Sequence, residues 1–479
     1  MSADTELITE AIDYYHSLLA NSQRLSSSSI EELMQGMETG HIYFAGRQLC
    51  NVLRPHFFTR QQADYVSAEC AKIISAIGKL GAVMIGPDRA EAARLIADVG
   101  LTQRERELFQ IDNGYQTLSA HSRLDSFYSL DGTLHFVEYN AESPAGASYE
   151  DGLQEIFMQM PVMQEFTKMY RVSMVKVKSR LLQMLLDRYN EYCQHFDKPS
   201  HTPHIAIVDW LDVATTTEFQ LLKEHFESQN VPTVICSPLD LVFENGRLRF
   251  GEFEIDLLFK RALCTELIER EGEIPAVFQA YEAGAICMVN NFRCKPYHKK
   301  AIFALLTDDE NARYFSPVER DAIAEHIPWT RNVQSGDTTY KGQPINLHTF
   351  LTEQRERLVM KPNDEYGGKG VVIGWESSPA VWEQAYQVAL TEPFVVQEKV
   401  VVAKEVFPTI QAGYIKFAER SVDCDPYIFD DMVHGTLTRL ATSTLLNVTA
   451  GGGSTVPTFI IEGKIVGGQQ RPADSEGCV

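Results

Sequence analysis

Residues 123–146, RLDSFYSLDGTLHFVEYNAESPAG, carry the densest set of side chains that could bind a metal. An Asp-Gly pair at 131–132, between two strand-like runs, predicts a β-hairpin. Glu138 and Asn140 are two residues apart on the return strand, so their side chains leave the same face, and Asp125 on the paired strand can lie beside them. Carboxylate and amide oxygens are ligands that hard divalent cations prefer, commonly together with substrate phosphates. The spacing fits a metal site and fits equally a turn acid beside two solvated strand residues.

A second candidate for chemistry is a lysine that ends a predicted strand and is followed by a glycine-rich segment, PNDEYGGKG. Glycines let backbone N–H groups approach a phosphate closely, and a lysine supplies a point charge. The segment is not a Walker A loop, because no GxxxxGK[ST] occurs and the next predicted element is a strand. An ordinary flexible turn is an equal alternative. The residues of this unit are Lys361, Tyr366, Gly367, Gly368, Lys369 and Gly370.

Weaker candidates lie at other strand ends. Gln397 and Glu398 end an apolar strand and could hydrogen-bond a base or ribose, although an edge-strand carboxylate is the default interpretation. Arg261 directly follows a strand of a predicted α/β sheet, where ligands tend to sit, but a solvated basic pair with Lys260 explains it as well. Lys300 by itself has the character of a surface lysine.

The overall charge limits the partners to be expected. The 479 residues carry 43 basic and 65 acidic side chains, a formal charge of −22. A nucleic-acid surface needs a basic stripe, so neither nucleic acid nor an anionic membrane is an expected partner. The N-terminus has no signal-peptide pattern, and no run reaches the roughly 20 apolar residues of a membrane span. Nine cysteines without a CxxC pair predict reduced thiols in a cytoplasm.

Hydrophobic periodicity and turn residues predict the elements that position these side chains. They are helices over residues 1–112, the hairpin, one long amphipathic helix over 162–196, alternating strands and helices over 204–259, a helical bridge over 290–357 with a polar loop at 334–343, and mainly antiparallel strands over 406–461, interrupted at 450–454. The strand–helix alternation indicates a small, largely parallel sheet.

In combination, the RLD…VEYN…SP residues, Lys361 with its GG segment and the VVQE strand resemble the ATP-grasp superfamily. There the lysine and the strand normally precede the metal-binding E-x-N, whereas here E-x-N comes first by more than 200 residues. This order is similar to the circularly permuted ATP-grasp branch, of which glutathionylspermidine synthetase is the best-understood enzyme. The resemblance covers roughly residues 115–465. The chain departs from that enzyme in its N-terminal region and in having no amidase domain with a cysteine nucleophile, so the substrate does not transfer.

The resemblance implies bound ATP and two magnesium ions. The metal ligands would be Asp125, Glu138 and Asn140, and Arg123 would be a catalytic residue at the γ-phosphate. The nucleotide would contact Lys300, Lys361, Tyr366, Gly367, Gly368, Lys369, Gly370, Gln397, Glu398 and Lys399. The acceptor substrate would meet Ser143, Pro144 and Arg261.

The implied fold is mixed α+β and α/β, a circularly permuted ATP-grasp fold with an inserted small α/β domain and a helical N-terminal region. The predicted parts are a helical region (1–114), the metal-binding part with the long helix (115–200), a small α/β substrate-side domain (201–290), the nucleotide-binding part (291–466) and a flexible tail (467–479).

The leading hypothesis is therefore an ATP- and Mg-dependent carboxylate–amine ligase that forms an amide or peptide-like bond through an acyl phosphate. The acid and the amine would be small molecules or peptides, and the sequence specifies neither them nor the oligomeric state. Two alternatives stay open: a nucleotide-binding scaffold or partner subunit without turnover, and a small-molecule kinase. Since the metal ligands would lie on a cleft surface, Asp125→Ala or Glu138→Ala is expected to stop ADP formation and leave the fold intact.

Overall fold

The computed structural model describes residues 3–442 and 453–465, which form a mixed α+β fold with several sheets. The helices are α1 Ala3–Asn21, α2 Gln23–Thr39, α3 Arg60–Met84, α4 Arg89–Val99, α5 Gln103–Phe109, α6 Ala147–Gln159, α7 Pro161–Phe166, α8 Val177–His195, α9 Thr216–Ser228, α10 Cys264–Glu269, α11 Pro275–Glu282, α12 Lys295–His298, α13 Ala301–Leu306, α14 Pro317–His326, α15 Leu347–Glu353 and α16 Pro379–Ala389. Within the described residues, every helix is too short or too polar to span a bilayer.

The strands are β1 Tyr43–Phe44, β2 Arg47–Gln48, β3 His56–Thr59, β4 His121–Tyr128, β5 Leu134–Asn140, β6 Tyr170–Ser173, β7 Ile205–Val208, β8 Thr233–Cys236, β9 Leu241–Glu244, β10 Arg247–Phe250, β11 Phe253–Ile255, β12 Leu257–Lys260, β13 Cys287–Val289, β14 Thr330–Asn332, β15 Asp337–Tyr340, β16 Gln343–Asn346, β17 Leu358–Pro362, β18 Val372–Ile373, β19 Phe394–Glu398, β20 Ala403–Gln411, β21 Tyr414–Phe429, β22 Met432–Ala441, β23 Ser454–Val456 and β24 Thr458–Lys464. The predicted tail at 467–479 lies outside the described residues, and so does most of the predicted interruption at 450–454.

The predicted hairpin is confirmed as β4 and β5, at one edge of an antiparallel sheet with the order β23-β22-β21-β4-β5, in which β20 also pairs with β21. Asp125 pairs directly with Glu138, and Arg123 with Asn140. Because directly opposed residues in an antiparallel pair share a face, the four side chains project together. The sheet also confirms the antiparallel strands predicted for the last third, within the described residues.

The N-terminal region is mainly helical, as predicted, and its helices begin at recognisable caps. Thr59 and Thr102 each form a capping box, with Gln62 and Glu105 respectively, at the starts of α3 and α5. The region also contributes β3, which pairs in parallel with β24. Strands β3, β24 and β6 therefore form a three-stranded sheet, and the helical prediction did not include β3.

The prediction of one long helix over 162–196 is wrong, because the chain forms α7, then β6, then α8. The backbone of β6 pairs antiparallel with β24, so residues 170–173 satisfy their hydrogen bonds in a sheet. Tyr170 is buried, as a helical stripe would require, but Met174, the next apolar residue in that spacing, is exposed. Apolar residues that recur every four positions therefore did not distinguish one helix from a short strand flanked by helices.

The predicted small parallel sheet is confirmed as four strands in the order β13-β12-β7-β8. All residues of β7, β12 and β13 are buried, as expected for a parallel sheet with both faces covered. Arg261 follows β12 at the carboxyl end of this sheet.

A second antiparallel sheet, with the order β14-β19-β17-β18, carries Lys361 and Gln397 on neighbouring strands. The polar loop predicted at 334–343 is wrong in part, because β15 and β16 form a hairpin there. Lys341 and Gly342 both have positive φ angles, which suits a two-residue hairpin turn. The strands were not predicted because their residues are mostly polar and show no alternation of apolar and polar side chains.

Candidate functional site

A cleft of about 1420 Å³ opens between the β4–β5 hairpin, the carboxyl end of the parallel sheet and the sheet that contains β17 and β19. Every residue proposed from the sequence as a site residue lines it, except Gly370. At Gly370 a Cβ atom would lie 2.7 Å from Cγ of Pro362, so this glycine packs against the end of β17. The structure thus brings the sequence candidates to one place, although it does not test their roles.

The hairpin wall, defined as Arg123, Asp125, Glu138 and Asn140, forms one side of the cleft. Arg123 Nε lies 3.0 Å from Asp125 Oδ1, and Asn140 donates a hydrogen bond of 2.8 Å from its Nδ2 to the same oxygen. Asp125 is only 6% exposed. Its carboxylate is therefore a buried, multiply bonded group on β4, and the interpretation of Asp125 as a turn acid is wrong.

A group that sequence reasoning missed completes this wall from the neighbouring strands. Arg439 of β22 lies 2.7 Å from Asp125, 2.6 Å from Asp423 and 2.9 Å from Asp425. Asp423 and Asp425 are two apart on β21, a spacing that could have marked one polar face of that strand. With Arg123, two guanidinium groups thus face three carboxyl groups.

The carboxyl groups of this cluster titrate differently because their surroundings differ. Burial would raise the pKa of Asp125, but the charges of Arg123 and Arg439 outweigh it and lower that pKa. Burial raises the pKa of Asp425 well above its ordinary value, and it also raises that of Asp423 despite Arg439. Asp125 is therefore the most readily ionised of the three.

Two lysines reach the cleft from the opposite side, and one of them contacts the hairpin wall. Lys300 Nζ lies 2.7 Å from Glu138 Oε1 and donates a 2.5 Å hydrogen bond to the carbonyl oxygen of Glu365. The side chain of Lys300 is 8% exposed, so the interpretation as a surface lysine is wrong. Burial would raise the pKa of Glu138, but the Lys300 ammonium lowers it.

Lys361 donates hydrogen bonds to Gln397 Oε1 at 2.7 Å and to the carbonyl oxygen of Val137 at 3.3 Å. Burial lowers the pKa of Lys361 to about 8, although the carboxylate of Glu138 opposes this. The side-chain Nε2 of Gln397 donates a hydrogen bond of 3.1 Å to Thr330 Oγ1. The amide of Gln397 therefore holds Lys361 in place, a role that differs from the contact with a base suggested by its position at a strand end.

The glycine wall, defined as Tyr366, Gly367, Gly368 and Lys369, also lines the cleft and is exposed. Gly367 and Gly368 have φ angles of 63° and 75°, which L-residues with a Cβ rarely adopt. Lys369 pairs with Glu365 at 2.8 Å, and the ring of Tyr366 is 58% exposed. Beside this wall, Glu398 is paired with Arg357 at 2.8 Å, and the Lys399 ammonium lies over the ring of Trp375.

The end of the cleft beyond the hairpin is closed by Ser143, Pro144 and Arg261. Ser143 donates a 2.7 Å hydrogen bond to the carbonyl oxygen of Arg261, whose guanidinium donates a 3.0 Å bond to the carbonyl oxygen of Pro144. Arg261 is 6% exposed and Lys260 is fully buried, so the interpretation as a solvated basic pair is wrong. A fixed, buried guanidinium at a strand end remains suited to bind an anionic group.

The residues present fit a nucleotide with divalent metal. The side-chain Nδ2 of Asn140 donates a hydrogen bond to Asp125. Within residues 3–442 and 453–465 the side-chain oxygen Oδ1 of Asn140 accepts no hydrogen bond, so Oδ1 can serve as a metal ligand. Glu138 projects beside it, and Lys300 and Lys361 provide the positive charge that phosphates need. Apolar side chains of Val359, Ile373 and Val402 line the part of the cleft near β19, which suits a planar base.

No protein-family model and no curated protein matches the sequence. Among solved structures, the chain is similar to a "putative gamma-glutamylcysteine synthetase" from Methylobacillus flagellatus KT, with 11% sequence identity and a TM-score of 0.43. The match covers 84% of this chain and 89% of that one.

Proposed function

We propose that the protein is an ATP- and Mg-dependent carboxylate–amine ligase with a circularly permuted ATP-grasp arrangement. The observation that carries this proposal is the contact between Lys300 and Glu138, at 2.7 Å across the cleft. It joins a lysine of the nucleotide-binding type to an acidic hairpin that precedes it in the chain. One cleft thereby combines oxygen ligands for a metal with cations for phosphates, as transfer of a phosphoryl group requires.

When bound, Mg-ATP supplies the phosphoryl group that activates a substrate carboxylate as an acyl phosphate for attack by an amine. Glu138 and Asn140 are the proposed metal ligands. The resemblance implies Asp125 as a third ligand, but both of its oxygens are already bonded, by Arg123, Asn140 and Arg439, so its proposed role is to orient Asn140. Lys300 and Lys361 would bind phosphate oxygens, and Arg123 would stabilise negative charge that develops on the transferred group. No protein nucleophile is required, which agrees with the burial of all eight described cysteines.

The acidic substrate would enter beside Arg261, at the end of the cleft formed by Ser143 and Pro144. The buried guanidinium of Arg261 can pair with a carboxylate without moving, because Pro144 already orients it. Small molecules or peptides in the cytoplasm are the proposed substrates, and nucleic acid and membrane are not proposed partners of a chain with a formal charge of −22.

The decisive experiment is a screen for ADP release with Mg-ATP and paired acids and amines, including amino acids, polyamines and short peptides. A ligase releases ADP only when both an acid and an amine are present, and the product has lost one water relative to the two substrates. Glu138→Gln, which keeps the size of the side chain, is expected to abolish the signal. Phosphorylated product without an amine would instead show a kinase, and ATP binding without any ADP release would show a scaffold.

A further inference from the structure

A buried network of six charged side chains lies behind the two walls of the cleft. It consists of three carboxylates and three ammonium groups, contributed by Glu105, Glu142, Asp364, Lys260, Lys295 and Lys299. Five of these residues are at most 4% exposed, and the side chain of Asp364 is 21% exposed. Buried charges on this scale are costly unless they are paired, so their arrangement needs a reason.

Lys295 is the centre of this network. Its Nζ lies 2.8 Å from Glu142 Oε1 and 2.6 Å from Asp364 Oδ1. The other oxygen of Glu142 accepts a hydrogen bond of 2.6 Å from the backbone N–H of Cys264, and the other oxygen of Asp364 accepts one of 2.9 Å from Lys299. Removing Lys295 would therefore leave one oxygen of each carboxylate without its counter-ion.

The same position has the ligand geometry of a metal site. Glu142, His298 and Asp364 each offer one atom within 4.8 Å of the others, and Nδ1 of His298 is buried without a hydrogen-bond partner among the described residues. The Lys295 ammonium bonds to both carboxylates of this set. An internal ammonium is thus bonded to two of the three groups that could hold a cation.

The two carboxylates that Lys295 joins lie close in the chain to different walls of the cleft. Glu142 follows Asn140 of the hairpin wall by two residues, and Asp364 precedes Tyr366 of the glycine wall by two residues. Since 222 residues separate Glu142 from Asp364 in the sequence, the chain itself does not hold them together. The bridge through Lys295 is thus a short connection between the residues after β5 and the start of the glycine-rich segment, in addition to the one that Lys300 makes between Glu138 and Glu365.

We propose that Lys295 is a positioning residue, an internal cation that fixes the glycine wall against the hairpin wall so that both can contact one Mg-ATP. This inference rests on the proposed function for its ligand, but the mechanical connection exists without any ligand. Lys295 does not touch the nucleotide in this scheme. It acts through Asp364, which determines where Tyr366 and the following glycines begin.

The test compares Lys295→Met with Lys79→Met, which also removes a lysine from a buried carboxylate, Glu319 at 2.6 Å, in a pair that does not line the cleft. Titration calorimetry measures both the Kd for Mg-ATP and the fraction of binding-competent protein. Loss of a supporting contact behind metal and phosphate ligands is expected to raise the Kd about tenfold or more, with stoichiometry near one. A merely structural role would lower the stoichiometry and leave the Kd unchanged, which would overturn the inference.

Hydrogen exchange of residues 361–366 in nucleotide-free protein separates this inference from the proposed function. Lys295→Met should speed exchange there relative to Lys79→Met, even if the wild-type protein proves not to bind ATP. If Lys295→Met does not fold, Asp364→Asn breaks the same bridge at a less buried position and should raise the Kd similarly. Wild-type exchange and affinity in either variant would contradict a positioning role.

Discussion

The two walls of the cleft are built in opposite ways. In the hairpin wall, Asp125 is bonded by Arg123, Asn140 and Arg439 and is almost fully buried. In the glycine wall, Tyr366 and the two glycines after it are exposed, and Gly367 and Gly368 adopt positive φ angles. The side chains of the hairpin wall are themselves held by ion pairs before any ligand arrives, whereas the glycine wall is anchored just before it begins, at Asp364, and is otherwise backbone that can adjust to a ligand.

This difference explains how one cleft could serve a metal and a phosphate chain together. Metal ligands need a defined geometry, which the ion pairs around Asp125 provide through Asn140. Phosphate oxygens accept hydrogen bonds from backbone N–H groups over a wider range of positions, which suits exposed glycines. We therefore expect substitutions in the hairpin wall to affect both folding and turnover, and those in the glycine wall to affect mainly affinity.

The largest effect is expected for Asp125→Ala. Removing this carboxylate leaves Arg123 and Arg439 without one partner in a buried site, which costs about 3–5 kcal/mol of unfolding free energy. The expectation from sequence that this variant keeps its fold intact is therefore corrected. Urea denaturation measures the loss, and ADP release should be abolished.

Glu138→Ala is the matched comparison, because the side chain of Glu138 is 24% exposed and has Lys300 as its ion-pair partner. It should lose ADP release while losing much less stability than Asp125→Ala. Equal stability of the two variants would contradict the contrast between a buried, multiply paired carboxylate and a cleft ligand.

An effect of intermediate size is expected on the Kd for Mg-ATP when the pH is raised above 8. Arg123 on the hairpin wall stays protonated at any working pH, whereas burial lowers the pKa of Lys361 to about 8. A bound phosphate favours the protonated lysine, so the pKa of Lys361 rises on binding and affinity is highest below pH 8. Above pH 8 the Kd for Mg-ATP should rise by about tenfold per pH unit until the pKa of the complex is reached.

Calorimetry between pH 7 and about pH 9.5 measures this dependence. Lys361→Arg keeps the positive charge but removes the titration, so its Kd should stay nearly constant over the range. If wild type and Lys361→Arg show the same pH dependence, another group controls it and Lys361 does not bind the phosphates.

Local signals account for what the sequence could predict. The Asp-Gly turn and the alternation of strand and helix over 204–259 depend on neighbours in the chain, and both the hairpin and the parallel sheet formed as expected. Lys361 with its glycines and the E-x-N strand were also readable as short motifs. Their convergence on one cleft could be inferred only because two such motifs resembled one family.

The remaining contacts of the site join residues that are far apart in the sequence and become neighbours only in the folded protein. Arg439 is 314 residues from Asp125, and Lys295 is 153 residues from Glu142. In the sequence, each of these charged residues looks like an ordinary surface residue. Only the packing of the sheets buries it. The same limit affected residues 170–173, where pairing with β24 decided between strand and helix.

The smallest effect is expected for Gly368→Ala in the glycine wall. With a φ angle of 75°, an alanine at this exposed position costs about 1–2 kcal/mol in the conformation that is shown. An exposed segment can relieve this strain by moving when no ligand holds it, so the melting temperature should change little. Binding would then require the strained conformation, and the Kd for Mg-ATP should rise by about five- to thirtyfold.

Gly413→Ala is the control for this last variant, because Gly413 has a similar φ angle of 81°, open space around it and a position in the β20–β21 hairpin away from the cleft. Its Kd for Mg-ATP should equal that of wild type. An unchanged Kd in Gly368→Ala would show that the glycine wall does not close on the nucleotide. In that case the hairpin wall alone would bind the nucleotide, and the glycine wall would only border the cleft.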